Sequence, residues 1–398
     1  MPRHLATLGW GLFCASSWTW CIGMYLPVLL IRHFGWPGVL AFAVPNVAGC
    51  VAFGYVVRDG EGTRRITETN AGACRAFSHV TVAFHLFFAA FVGAYLIRTP
   101  FPPIHVALGA TVGLYAAASA LSRLPNRAWP ATAPVIYGVS LVAFVCLGIR
   151  PLAAIGWQGD LDGGSLVFLA PTLAFGFLLC PYLDLTFHRA LASSPSRHAF
   201  AVFGVAFGVM ILLTCAYWDA ASQGLPVAAL VHVAAQAVFT VAVHLRELRS
   251  ASVSRPAVVT WLKAAVPFAA VPLALVPLAW PKPLEAAEGM YLRMLVFYGL
   301  VFPTYVVWFL GRSPALAVSR RNLLFLSALV AAAAPLFELG FLHEQTWYPL
   351  IAVAALVGGA GVYGSVRGRD RTPGPDVSAP NPNPATTRPE RRIPVTKT

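Results

Sequence analysis

The chain has 398 residues, 58% of them hydrophobic and 11% charged, with a mean hydropathy of +0.69. Soluble domains carry about 25% charged residues, so this composition excludes a soluble globular protein and points to an all-α polytopic membrane protein. The net charge of +13 lies largely as Arg in short loops and in the C-terminal tail, which suits anionic headgroups and speaks against nucleic-acid binding.

The apolar runs are continuous rather than alternating, which excludes a β-barrel. Reading for segments of about 20 apolar residues gives about twelve spans. They run from Leu5 to Ile31, Val39 to Val57, Phe77 to Ile97, Ile104 to Leu121, Pro130 to Ile149 and Ser165 to Phe187. They continue from Ala199 to Tyr217, Leu225 to Leu245, Ala257 to Trp280, Met290 to Leu310, Leu323 to Leu342 and Trp347 to Val366. Pro267, Pro272 and Pro277 must kink the ninth repeatedly. The N-terminus has no small-residue cleavage site, so it reads as the first span rather than a removed signal. From about Arg367 the chain is rich in Pro, Thr and Arg, and reads as a disordered basic tail over 367–398.

Loops after the even-numbered spans hold Arg58, Arg64, Arg65, Arg75, Arg123, Arg127, Arg189, Arg197, Arg246, Arg249, Arg255, Arg312, Arg320 and Arg321. Loops after the odd-numbered spans hold Arg32, Arg98, Arg150 and Lys282, together with Asp160 and Asp162. By the positive-inside rule both termini are cytoplasmic, in a bacterial-type inner (plasma) membrane.

The first span carries Ser16, Ser17, Trp18, Thr19 and Trp20 at its middle, then Gly23 and Pro27. Ser and Thr can bond back to the preceding turn and Pro removes a donor, so this helix is expected to open near its middle. Small polar residues also permit close helix packing, which is the competing explanation. The sixth span repeats the theme with Pro171, Thr172, Gly176 and Pro181, ending at Asp184. Two interrupted helices in oppositely oriented halves point to a transport site for a small organic solute. Ser17, Trp18, Thr19, Thr172, Phe175 and Gly176 are its expected residues, so Thr19→Val is expected to abolish uptake.

Other polar residues in the spans have two readings each. Asn46 could be polar glue between helices or part of the site. His79, His85, His232 and His244 could be structural or titrating; His232 and Gln236 share one helix face at i, i+4. Glu338 reads as the deepest carboxylate, functional by its burial or bridged to Arg293. Arg293 and Lys263 are expected to snorkel. The seven cysteines form no CxxC or Cys/His cluster and read as small buried hydrophobes.

The stretch Cys180-Pro181-Tyr182-Leu183-Asp184-Leu185-Thr186-Phe187-His188-Arg189 resembles the Pro-Asp-x-Ser/Thr-Arg signature that ends the sixth helix of nucleobase–cation symporters. The helix pattern resembles sodium:solute symporters and the wider amino acid–polyamine–organocation superfamily with the LeuT-type fold. That resemblance implies two inverted five-helix repeats, about 5–149 and 165–310, followed by two extra helices over about 323–366. It implies a gating role for Asp184, with an Asp184–Arg189 ion pair at the membrane surface as the alternative. It also implies sodium held by first-helix carbonyls and Ser/Thr hydroxyls of the eighth helix. The eighth helix has only Thr240, one turn after Gln236, which speaks against Na+ and leaves H+, or no coupling ion at all, as alternatives. No cofactor or metal is implied.

Two alternatives stay open. The loop Gly54 to Arg65 resembles the G-x-x-x-D-R-x-G-R-R loop of major facilitator transporters. A non-transporting membrane sensor or assembly subunit on a transporter scaffold is the third class. The sequence carries no HExxH, GxSxG, paired carboxylates or phosphate-binding glycine loop, so an enzyme is not expected.

Overall fold

The computed structural model describes residues 2–250, 266–310 and 320–369, and it is all-α. In chain order the helices are α1 (Arg3–Trp18), α2 (Cys21–Phe34), α3 (Trp36–Val56), α4 (Gly60–Thr69), α5 (Ala71–Phe91), α6 (Pro103–Leu121), α7 (Trp129–Leu147) and α8 (Arg150–Ala153). There follow α9 (Gly163–Leu179), α10 (Leu185–Ser193), α11 (Ala199–Cys215), α12 (Ala220–Gln223) and α13 (Val227–Ser250). The last are α14 (Val271–Leu275), α15 (Pro283–Phe309), α16 (Arg320–Leu342) and α17 (Trp347–Arg369). A π turn, Val92–Leu96, extends α5, and 3-10 turns flank α14 over 266–279.

Among the described residues eight helices are long and apolar enough to cross a bilayer, or nine if the bent pair α1–α2 is one span. The chain is a multi-pass membrane protein. Helix α11, the stretch 266–279 and the apolar part of α17 are shorter than that length. The first half of the expected ninth span, with Lys263, and the tail from residue 370 lie outside the described residues.

The first span is broken at Thr19 and Trp20, with α1 and α2 bent by 61°. Pro27 does not break α2, although it denies the Gly23 carbonyl its helical donor. The hydroxyl of Thr214 on α11 supplies that bond at 2.9 Å, and the Tyr217 hydroxyl donates to the next carbonyl, Met24, at 2.8 Å. Tertiary donors thus carry the helix through its proline. The sixth span ends α9 in a 3-10 turn, Cys180–Leu183, and restarts at α10 with Asp184 as its cap. Asp184 Oδ1 accepts from the Thr186 backbone N–H at 2.7 Å, satisfying one orphan donor of α10.

Around these two broken spans, α1 packs on α7, α11 and α13, and α3 packs on α9 and α11. Helix α13 packs on α5, α6 and α7; α5 packs on 266–275; α9 packs on α15, and α15 on α16. Without a hydrophobic drive inside lipid, such contacts depend on close van der Waals approach. At Gly49 a Cβ would come within 2.5 Å of the Phe177 carbonyl oxygen, so α3 meets α9 only because that position lacks a side chain. Gly35, at φ 64, turns the chain between α2 and α3 with no room for a Cβ against the Gly156 carbonyl.

Candidate functional site: two helix breaks around a small cavity

Breaking a helix inside a bilayer exposes backbone groups that must find partners. At the first break several find them in side chains. The Thr19 hydroxyl bonds back to the Ala15 carbonyl at 2.8 Å, and the Trp20 indole donates to the Ser17 carbonyl at 2.5 Å. The Ser16 carbonyl accepts from the Thr240 hydroxyl of α13 at 3.1 Å. On the far side of the break, the Cys21 N–H donates to His85 Nε2 at 3.3 Å. The other ring nitrogen of His85 lies 2.7 Å from the Thr81 carbonyl. Since Nε2 accepts, Nδ1 carries the proton and His85 serves here as a neutral imidazole capping α2.

The second break lies against the first. Ser17 Oγ is 3.3 Å from Thr186 Oγ1, and the Trp18 ring stacks obliquely on Phe187 at 4.9 Å. Between the two breaks is a cavity of about 40 Å³, room for a few waters. The first span gives it Trp18, Trp20 and Gly23, and α9 gives Thr172 and Gly176. Helix α3 contributes Asn46, α15 contributes Tyr298, and α16 contributes Phe337 and Phe341.

A second cavity, of about 700 Å³, opens at the C-terminal end of α2 beside the N-terminal end of α15. A charged cluster stands at its inner wall. Glu288 Oε1 accepts from the Tyr25 hydroxyl at 2.6 Å and from Arg32 Nη2 at 2.8 Å. Phe341 lines both cavities. At the opposite end Arg189 on α10 binds Glu247 on α13 through both carboxylate oxygens, with Nη2 to Oε2 at 2.6 Å.

Of the expected solute residues, Trp18, Thr172 and Gly176 line the small cavity and the other three do not. Ser17 turns to Cys14 and Thr186, and Thr19 turns back to Ala15. Phe175 packs among Val296, Leu300, Ala333 and Phe337. Of the expected gating residues, Asn46 joins the cavity wall. His232 and Gln236 meet on Ser140 Oγ instead, at 2.9 and 2.8 Å.

Two expectations change. Glu338 is not the deepest carboxylate: its side chain is 36% exposed and bound to Arg293 at 2.5 Å. Asp184, fully buried, is the deepest among the described residues. The bridge from Glu338 to Arg293 is the alternative that the sequence offered. Arg189 pairs with Glu247 rather than with Asp184, because capping α10 turns the Asp184 carboxylate to the backbone of its own helix. Trp20, Tyr298, Arg32, Glu288 and Glu247 escaped the sequence reading as site residues. The last three carried one signal, charge near the end of an apolar run.

The described residues contain no group of three or more His, Cys, Asp or Glu side chains placed to hold a metal ion. In comparisons with known proteins, no family model matches the chain and no curated protein matches it.

Proposed function

We propose that the chain is a secondary transporter that moves a small organic solute across a bacterial-type inner membrane by alternating access around the two helix breaks. The observation that carries this reading is the side-by-side interruption of α1–α2 and α9–α10 around a small cavity. Opposite ends of that cavity carry separable closures. One is Tyr25–Glu288–Arg32 beneath the larger cavity; the other is Arg189–Glu247 together with Ser17–Thr186.

On the same reading the chain has twelve spans, both termini cytoplasmic, and two inverted five-helix repeats of the LeuT type followed by two extra helices. The packing partners support it, because pairs recur five spans apart. Contact of α1 with α7 has its counterpart in α9 with α15; α3 with α9 in α11 with α1; and α6 with α13 in α5 with 266–275. Two six-helix halves of parallel sense, the major facilitator arrangement, give no reason for breaks in the first and sixth spans to meet.

The coupling ion is Na+ or H+. Thr240 spends its hydroxyl on Ser16, so a cation at that position must displace a hydrogen bond. A non-transporting sensor on the same scaffold is the second reading, favoured by a cavity of only about 40 Å³. Solute flux into proteoliposomes under imposed sodium and proton gradients decides between them. Gradient-dependent flux supports the transporter, and absence of flux under every gradient removes it.

A further inference from the structure

The small cavity has a consistent chemical character, and it bears on what can occupy it. The residues lining it include no Asp, Glu, Lys, Arg or His among those described. A net charge placed there would lose its water without gaining an ionic partner, which is costly in a low-dielectric site. Its walls are instead largely apolar, with the rings of Trp18, Trp20, Phe177, Tyr298, Phe337 and Phe341 among aliphatic side chains and glycines.

Two polar groups interrupt that surface. Thr172 is 4% exposed, and its hydroxyl has no hydrogen-bond partner. Asn46 is 2% exposed, and its Oδ1 accepts from Trp18 Nε1 at 2.8 Å. An indole N–H can only donate, so this contact fixes which end of the Asn46 amide faces Trp18. What Asn46 has left is its NH2 group, a donor only. Asn46 on α3 and Thr172 on α9 thus offer hydrogen bonds to an occupant from two different helices.

We infer that this cavity selects an uncharged solute with a flat or hydrocarbon body and a carbonyl-type acceptor, which Asn46 and Thr172 bind while Trp18 and Trp20 cover its face. The inference rests on the transporter reading only for what happens after binding. The solute is larger than the present cavity, so its entry must part the two broken helices. Zwitterions such as free amino acids are refused, because neither end would meet an opposite charge.

The test uses the full chain in lipid nanodiscs and four probes: nicotinamide (neutral amide), nicotinate (the matched anion), choline (a cation) and phenylalanine (a zwitterion). Thermal stabilisation measures binding, and uptake into proteoliposomes against protein-free vesicles measures flux. The expected result is saturable nicotinamide binding, with the three charged probes at least about tenfold weaker, and Asn46→Leu and Thr172→Val each weakening nicotinamide by about three- to tenfold. Asn46→Gln, which keeps the donor, recovers part of that loss if Asn46 acts through its amide. Binding of a charged probe as tightly as nicotinamide overturns the inference, as does binding indifferent to both substitutions or the absence of binding by all four. Binding with the expected selectivity but no flux supports the inference and removes the transporter reading.

Discussion

Thr240 and Ser16 are 224 residues apart in the chain, yet the hydroxyl of one donates to the backbone carbonyl of the other at 3.1 Å, both fully buried. Ser16 lies in the last turn of α1, where carbonyls have no helical donor ahead of them. A side chain on α13 therefore completes a helix end that α1 cannot complete itself. Thr240→Val keeps the shape and removes the donor, and is expected to cost about 1–3 kcal/mol of stability. Thr240→Ser should recover most of it. Thermal unfolding of both variants in one detergent checks the difference.

Thr19 now carries a different expectation from the one its position in the sequence suggested. Its hydroxyl is committed to the Ala15 carbonyl and Thr19 does not line the cavity. Thr19→Val should therefore retain most solute flux, whereas Thr172→Val should reduce it several-fold. Side-by-side uptake by the two variants checks this, and equal loss in both would return Thr19 to the site.

The Arg189–Glu247 pair joins α10 to α13 in a mostly buried setting, with side chains 21% and 7% exposed. Removing one partner leaves the other charge uncompensated, so Arg189→Ala or Glu247→Ala should each cost about 3–5 kcal/mol. The double substitution should cost less than their sum. A double-mutant cycle on thermal stability measures the coupling, and additivity would mean the contact contributes nothing. The Arg293–Glu338 pair, 45% and 36% exposed, is expected to contribute no more than about 1 kcal/mol.

Glu288 ties Arg32 and Tyr25 together through a single oxygen. Glu288→Gln removes the charge but not the shape, so the contact between α2 and α15 should loosen without unfolding. Hydrogen exchange of residues 20–26 is expected to speed up while α6 and α7, which pack elsewhere, stay unchanged. Faster exchange throughout would indicate general destabilisation instead.

The bilayer environment and the weak points of two helices were legible in the sequence because both are local properties. Twenty apolar residues in a row, or Ser-Ser-Trp-Thr-Trp within them, need no partner to be recognised. Where a helix yields depends on partners. Pro27 takes one helical donor from the first span, but Thr214 and Tyr217 satisfy the carbonyls around it and the helix continues. The break falls near the middle, at Thr19 and Trp20, where Thr240, His85 and the Trp20 indole are in reach. The same reason hid the partner of Arg189. Asp184 is five residues away in the chain but is turned to cap α10, while Glu247, 58 residues distant, is brought alongside by packing.

Phe337 and Phe341 belong to α16, only 17% of whose apolar window is buried. Most of this helix is therefore left uncovered by the described chain, while two of its rings form part of the cavity wall. Where that uncovered surface meets the bilayer, only the side chains of α16 separate lipid from an occupant. Bilayer thickness and acyl-chain composition become variables of the cavity itself, and a chain shortened before α16 would offer that space to hydrocarbon tails.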